Sequence, residues 1–264
     1  MNEDEIEMKD IEELNIPEFL KHSRNTIYMA GSYAEGYSTK TSDLDIYEIY
    51  QGKQPETNRI WDYRKIRDIK ENDTKFEIEL ISKDSILILS DKIDKSIDFG
   101  EDSFIISFQE YQLIWDILIG ISICNPEALQ GYKSIFESKK ESIADLLVRQ
   151  IGLFIMNAYE DILGLLAAGE LESAYFRSLD LLNRTADSLI ADKKIFNTKT
   201  KWRYKKLEQA GLYEFRDMYH SFFTRPVTNK LQFIEEIVVY CSMALRQLTR
   251  QGNRQWIDIS RFKP

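Results

Sequence analysis

Two hydrophobic periods divide this chain, and the switch between them constrains its fold more than any other feature. "KFEIELI" (Lys75 to Ile81) alternates strictly, with Phe76, Ile78 and Leu80 on one side and Glu77 and Glu79 on the other, as a half-buried strand does. From about Ser103 the spacing changes. The stretches Ile143 to Glu170, Glu172 to Lys194 and Lys230 to Arg250 carry apolar residues at three- and four-residue steps, which predicts long helices with a broad buried face. Within the first part, "TIYMAG" (Thr26 to Gly31) reads as a short buried strand and "LDIYEIY" (Leu44 to Tyr50) as an alternating one. Gln51 to Asn58 is a loop by composition, and "SKDSILILSDKID" is a helix with Ser82 as its cap. Glu3 to about His22 reads as an amphipathic helix carrying Ile6, Ile11, Leu14, Phe19 and Leu20, with Pro17 as a break. The predicted class is α+β: a small mixed-sheet domain over residues 1–100, followed by an all-helical bundle domain over residues 101–264.

Composition narrows the setting. With 43% hydrophobic and 30% charged residues, the chain reads as an ordinary globular protein. The acidic start "MNEDEIEMKDIEEL" lacks the apolar core of a secretion signal. The longest apolar run, Leu113 to Cys124, is too short to span a bilayer and contains Asp116. A cytoplasmic protein with no membrane partner is expected. Cys124 and Cys241 stand alone in apolar contexts, as buried thiols do. The net charge of −9 lies wholly in residues 1–100, which hold 14 Lys and Arg against 23 Asp and Glu. That balance disfavours long nucleic acid over the first part.

The chemistry concentrates in "YMAGSYAEGYSTKTSDLDIYEI", Tyr28 to Ile49. Gly31 ends a strand and Ser32 opens a turn or helix, a corner where backbone amides and a hydroxyl can approach phosphate closely. Gly36 relieves the next turn. Asp43 and Asp45 share a strand face because side chains alternate, so their carboxylates converge. An acid from "FEIEL" on a neighbouring strand would complete a set of hard oxygen ligands suited to Mg²⁺. Two such ions, roughly 4 Å apart, can hold the attacking and leaving oxygens of a displacement at phosphorus.

In this order the residues of "GSYAEGYSTKTSDLDIY" resemble the Gly-Ser…Asp-x-Asp signature of the DNA polymerase β-like nucleotidyltransferase superfamily. The likeness is greatest to its small members, the aminoglycoside and lincosamide nucleotidyltransferases, which join a minimal catalytic domain to a helical bundle. It covers about residues 27–82; the helical half matches in general layout alone. The resemblance implies that Asp43 and Asp45 bind both Mg²⁺ ions and that a later acid is the third ligand. Register against the family pattern selects Glu77, and Glu79, one step further on the same face, remains the alternative. It implies that Gly31, Ser32 and Ser42 meet an NTP such as ATP. The implied reaction moves a nucleoside monophosphate to a hydroxyl of a small antibiotic-like molecule, with release of pyrophosphate and antibiotic resistance as the outcome. Acceptors of other kinds, tRNA or a protein in a toxin-like enzyme, stay open, as does a non-catalytic nucleotide-binding or antitoxin module. Small relatives often pair so that one subunit's helical domain completes the other's site, which makes a homodimer an expectation by analogy.

The helical half offers two supplements. Lys193 to Lys206 holds seven basic residues and no acid, so Lys201, Arg203 or Lys205 can neutralise a triphosphate, with Trp202 packed beneath; a solvated basic turn explains the same residues equally well. Transfer to a hydroxyl needs a base. Glu160, Asp161 and Asp180 are acids within apolar helices, and Glu160 is the candidate, although each can instead pair with Arg149, Arg177 or Arg184. His22 and His220 read as surface or structural residues, and Leu212 to Phe223 as bundle core.

Overall fold

The computed structural model describes residues 16–39, 42–57, 59–61, 64–71, 74–98 and 106–248. The chain forms two compact units, Met1–Lys95 with Gln112–Ser138, and Ser96–Tyr111 with Lys139–Pro264. A single cut near residue 100 is therefore corrected. Residues 112–138 return to the sheet unit because its strand β1 has a second edge that needs backbone partners.

The first unit is built on a mixed sheet of β1 (Thr26–Met29), β2 (Ile46–Tyr50), β3 (Arg59–Trp61), β4 (Arg64–Glu71), β5 (Thr74–Ser82) and β6 (Ile121–Cys124). Their order is β3-β4-β5-β2-β1-β6. Only β2 and β5 pair in parallel; the other neighbours are antiparallel. β1 and β2 are interior strands, each paired on both sides, and all their residues are buried. β1 reads as a continuous apolar run for that reason, whereas β2, expected to alternate, is buried on both faces; β5 keeps its alternation, with Phe76, Ile78 and Leu80 buried and Glu77 exposed. Ile16, Leu20, Ile27, Ile46, Ile78 and Leu80 belong to one core cluster. Glu48 is buried in the same central strand. Arg67 Nη2 at 2.5 Å and Asn25 Nδ2 at 2.6 Å both donate to it, which offsets the desolvation of its charge.

Short helices surround this sheet. α1 (Glu18–Lys21) begins after Pro17, so the expected break is a start, and Phe19 is exposed rather than buried. The expected helical residues before Ile16 lie outside the described residues. α2 (Gly31–Ala34) is a single turn. α3 (Lys83–Asp98) buries Ile86, Leu89 and Ile93, and Ser82 Oγ accepts from Ser85 N–H at 3.0 Å, the expected cap. α4 (Phe108–Ile119) opens with a capping box: Ser107 Oγ accepts from Glu110 N–H, and Glu110 Oε2 accepts from Ser107 N–H. α5 (Pro126–Glu137) starts with proline, whose fixed φ suits a first helical position. The apolar run around Asp116 is thus the end of α4 followed by β6. Among the described residues no helix is long and apolar enough to cross a membrane.

The second unit is helical. α6 (Lys140–Ala167) and α7 (Leu171–Asp192) form a hairpin through Gly169, whose φ of +78° suits a helix end. α8 (Arg203–Gln209) follows a 3₁₀ turn at Thr200–Trp202; α9 (Tyr213–Thr224) and α10 (Lys230–Leu245) complete the unit. Ile151, Ile155, Leu181, Leu189, Ile234 and Ile237 are among its buried side chains. Of the aromatic stretch expected as core, Phe215 and Phe222 are buried, while Tyr213, Met218 and Phe223 are exposed. Cys124 and Cys241 are free and buried.

Candidate active site

The sheet brings the two halves of the Tyr28–Ile49 motif into contact. Antiparallel pairing of β1 with β2 puts Met29 opposite Ile46, and the ladder continues outward as Ala30 N–H donates to the Asp45 carbonyl at 3.0 Å. The next residue, Gly31, has φ +65°, and a Cβ placed on it would stand 1.9 Å from Asp45 Oδ2. Both the dihedral and the close approach require glycine. The Asp45 carboxylate therefore lies directly against the Gly-Ser corner.

Ser32 is buried inside the single turn of α2. The turn closes as a Schellman motif: Tyr37 N–H donates to Ser32 O at 2.8 Å, Gly36 N–H to Tyr33 O at 3.1 Å, and Gly36 has φ +69°. This gives Gly36 the role expected of it. One helical turn is too short to supply a macrodipole, so any phosphate here would meet individual amides and the Ser32 hydroxyl. Ser42 Oγ accepts from Thr39 N–H at 2.8 Å and so staples the turn that leads to Asp43.

Register orders the acids. β2 and β5 pair Ile46 with Ile78 and Tyr47 with Glu79, so one step back Asp45 falls opposite Glu77, while Glu79 stands beside Tyr47. β4 adds a residue absent from the sequence reading: Asp68 pairs with Glu77. Asp68, Glu77 and Asp45 thus share one row across three strands. The strand signal of "RKIRDIKE" is hidden because Ile66 and Ile69 are three residues apart, a helical spacing. Asp43 is exposed, and Asp45 and Glu79 are half-buried.

Among the described residues no three of His, Cys, Asp and Glu are grouped closely enough to hold a metal ion. Mg²⁺ does not need such a cage, since it commonly takes one or two carboxylates and fills its octahedron with water and substrate phosphates. The carboxylate of Asp45 with one further acid, Asp43 or Glu77, is the donor set an ion of that kind takes.

Below this row the same face is closed by aromatic rings. Tyr28 stacks on Tyr47, with centroids 5.1 Å apart. Tyr47 Oη donates to Asp116 Oδ2 at 2.9 Å, and Asp116 is only 2% exposed. Burial, then the neighbouring Asp116 and Glu79 charges, raise both tyrosine pKa values well above the usual phenol value, so both hydroxyls stay protonated donors. The Tyr28 hydroxyl is buried without a hydrogen-bond partner among the described residues. One residue before Asp116, Trp115 Nε1 donates to Glu35 Oε1 at 2.7 Å, inside the turn that begins at Gly31.

The other candidates belong to the helical unit. Glu160 lines a groove of about 840 Å³ with Asp161, Gly164, Phe176, Arg177 and Asp180. Arg177 bridges Asp161 and Asp180, and Arg184 adds a contact to Asp180 at 3.4 Å, so those acids have the arginine partners expected of them. Lys201 and Lys205 flank the Trp202 ring, 5.1 and 5.7 Å from its centroid. Arg203 does not join them, and its expected phosphate role is corrected. Its Nε and Nη2 hold both oxygens of buried Asp187, at 2.7 and 3.0 Å. Burial opposes the guanidinium charge, but Asp187 outweighs it and raises the Arg203 pKa above its ordinary value. His22 pairs with exposed Glu18 at 3.0 Å, and His220 packs edge-on to Tyr204.

No protein-family profile and no curated protein sequence matches this chain. Among solved structures, a nucleotidyltransferase-like protein from Exiguobacterium sibiricum 255-15 aligns over 95% of this chain and 78% of that one, at 13% identity and a TM-score of 0.48. A likeness of that size carries no argument about this chain's activity, which must rest on the contact between Gly31 and Asp45 and on the acids beside it.

Proposed function

We propose that this protein is a Mg²⁺-dependent nucleotidyltransferase that moves a nucleoside monophosphate from an NTP such as ATP to a hydroxyl of a small-molecule acceptor. The observation that carries the reading is the contact of the Asp45 carboxylate with the Gly31 backbone, which joins the Gly-Ser corner to a metal-type ligand. Gly31 and the Ser32 hydroxyl receive the outer phosphates. Asp45 would hold the ion together with one further acid of the expected set, Asp43 or Glu77, with Glu79 as the alternative to Glu77, and water and substrate phosphates would fill the other positions. Bound Mg²⁺ would neutralise triphosphate charge and lower the pKa of the acceptor hydroxyl. The acceptor oxygen forms a bond to the α-phosphorus, the bond from that phosphorus to the bridging oxygen breaks, and pyrophosphate leaves with the electron pair. A carboxylate takes the hydroxyl proton, and Glu160 is the candidate that the resemblance offers. Lys201 and Lys205 are candidates for neutralising the departing pyrophosphate. An antibiotic-like acceptor and subunit pairing extend the reading by resemblance.

The test is incubation with each NTP, Mg²⁺ and a panel of aminoglycosides, lincosamides and bulk tRNA, followed by mass spectrometry. An added nucleotide on a small molecule, lost in Asp45→Asn, supports the reading. Label on RNA or on a polypeptide replaces the acceptor class, and no transfer by a chain that does not bind ATP overturns the activity.

A further inference from the structure

The motif supplies the groups that meet nucleotide and metal, and its own hydrogen bonds hold them at the backbone and within single turns. The Gly31–Gly36 turn and the start of β2 carry them, and each has an anchor outside the motif. α4 supplies both anchors from consecutive residues. Trp115 is buried, and its indole N–H reaches Glu35 near the end of the Gly31–Gly36 turn. Asp116 is buried and accepts the hydroxyl of Tyr47, two residues after Asp45 on the same strand face. Consecutive helix residues project about 100° apart, so the two side chains diverge from one helix and reach different targets. Gly120, just beyond the helix, permits the fit: a Cβ there would stand 2.6 Å from the Tyr28 ring and 3.0 Å from the Asp116 carbonyl.

Resting on the nucleotidyltransferase reading, we propose that Trp115 and Asp116 are positioning residues with separate duties: Trp115 holds the phosphate-binding turn through Glu35, and Asp116 holds the metal-binding end of β2 through Tyr47. Neither touches substrate. A buried carboxylate costs free energy to desolvate, and here one of its oxygens accepts from the Tyr47 hydroxyl at 2.9 Å. Such an arrangement fixes the Tyr47 ring, and through the strand it fixes the direction in which Asp45 leaves the sheet. Glu35, by contrast, ties a turn whose backbone must stay open to phosphate.

The separate duties predict separate signatures. ATP affinity is measured by equilibrium binding with and without Mg²⁺ in the full chain, with thermal melting as the control for folding. Trp115→Phe keeps the ring packing and deletes only the donor; it should weaken metal-free ATP binding about tenfold and leave the Mg²⁺ midpoint within about threefold of wild type. Tyr47→Phe deletes the donor to Asp116; it should raise the Mg²⁺ midpoint for ATP binding about tenfold and spare the metal-free affinity. Asp116→Asn retains an acceptor for Tyr47 and should stay within about threefold of wild type on both measures. Melting shifts with both binding constants unchanged mean a structural role and overturn the inference, as does the same change in both constants for both variants. A wild-type chain that binds no ATP at all sinks the nucleotidyltransferase reading itself, whereas wild-type binding with indifferent variants sinks only the positioning roles.

Discussion

The carboxylate of Asp45 occupies the space where a side chain on Gly31 would begin, and a Cβ there would fall 1.9 Å from Asp45 Oδ2. That proximity, with the bond from Ala30 N–H to the Asp45 carbonyl at 3.0 Å, brings the first half of the motif against the second. It also makes the glycine a direct probe of the proposed chemistry.

Gly31→Ala is therefore the sharpest single substitution. The new methyl must push the carboxylate away, and the left-handed φ of +65° costs an alanine about 1–2 kcal/mol by itself. Displacing a catalytic group by about 1 Å can cost on the order of 100-fold in rate, so transfer should fall at least that far. Steady-state transfer rates with a chemical-denaturation curve check it. A variant with wild-type rate would show that the carboxylate can move without consequence.

The acids should not be equivalent. Asp43→Asn and Asp45→Asn are each expected to reduce transfer by about 100- to 1,000-fold with little change in melting temperature. Because Glu77 falls in the row of Asp45 and Glu79 in the row of Tyr47, Glu77→Gln should cost more activity than Glu79→Gln. A reversed order, read from Mg²⁺ titrations of turnover, would move the third ligand to Glu79.

Arg203 and Asp187 make a prediction about stability alone. Their buried, two-pronged contact is joined by Asn197, which donates to Asp187, and by Asn183, which accepts from Arg203. Removing one partner leaves a buried charge uncompensated, so Asp187→Asn or Arg203→Met should destabilise the chain by about 3–5 kcal/mol. Urea denaturation measures this. A loss of activity at unchanged stability would instead return Arg203 to the phosphates.

Cys241 gives a pH dependence. Burial, only partly offset by a hydrogen bond with Thr185, pushes its thiol up from 9.0 to about 12. A folded pKa above the unfolded one favours the folded state fully below pH 9 and progressively less as pH rises towards 12. Denaturation midpoints should fall across that window, and the Cys241→Ala chain should show a shallower fall. At pH 8 the native thiol should resist disulfide reagents and react only on unfolding.

What a local stretch of chain specifies was legible early: the alternation of Lys75–Ile81, the cap at Ser82, the long helical periods, the glycine at position 36 and the paired aspartates all depend on residues a few positions apart. Pairing between distant segments was not legible, because hydrogen bonds across a sheet form between backbone groups that every residue carries alike. Only the folded sheet placed Asp68 and Glu77 in the row of Asp45, returned residues 112–138 to the edge of β1, and set Trp115 and Asp116 behind the motif. The same holds for Arg203, which reads as one cation in a basic run. It is withdrawn from that run because a carboxylate on α7 meets it in the interior, where an unpaired charge would be too costly to keep.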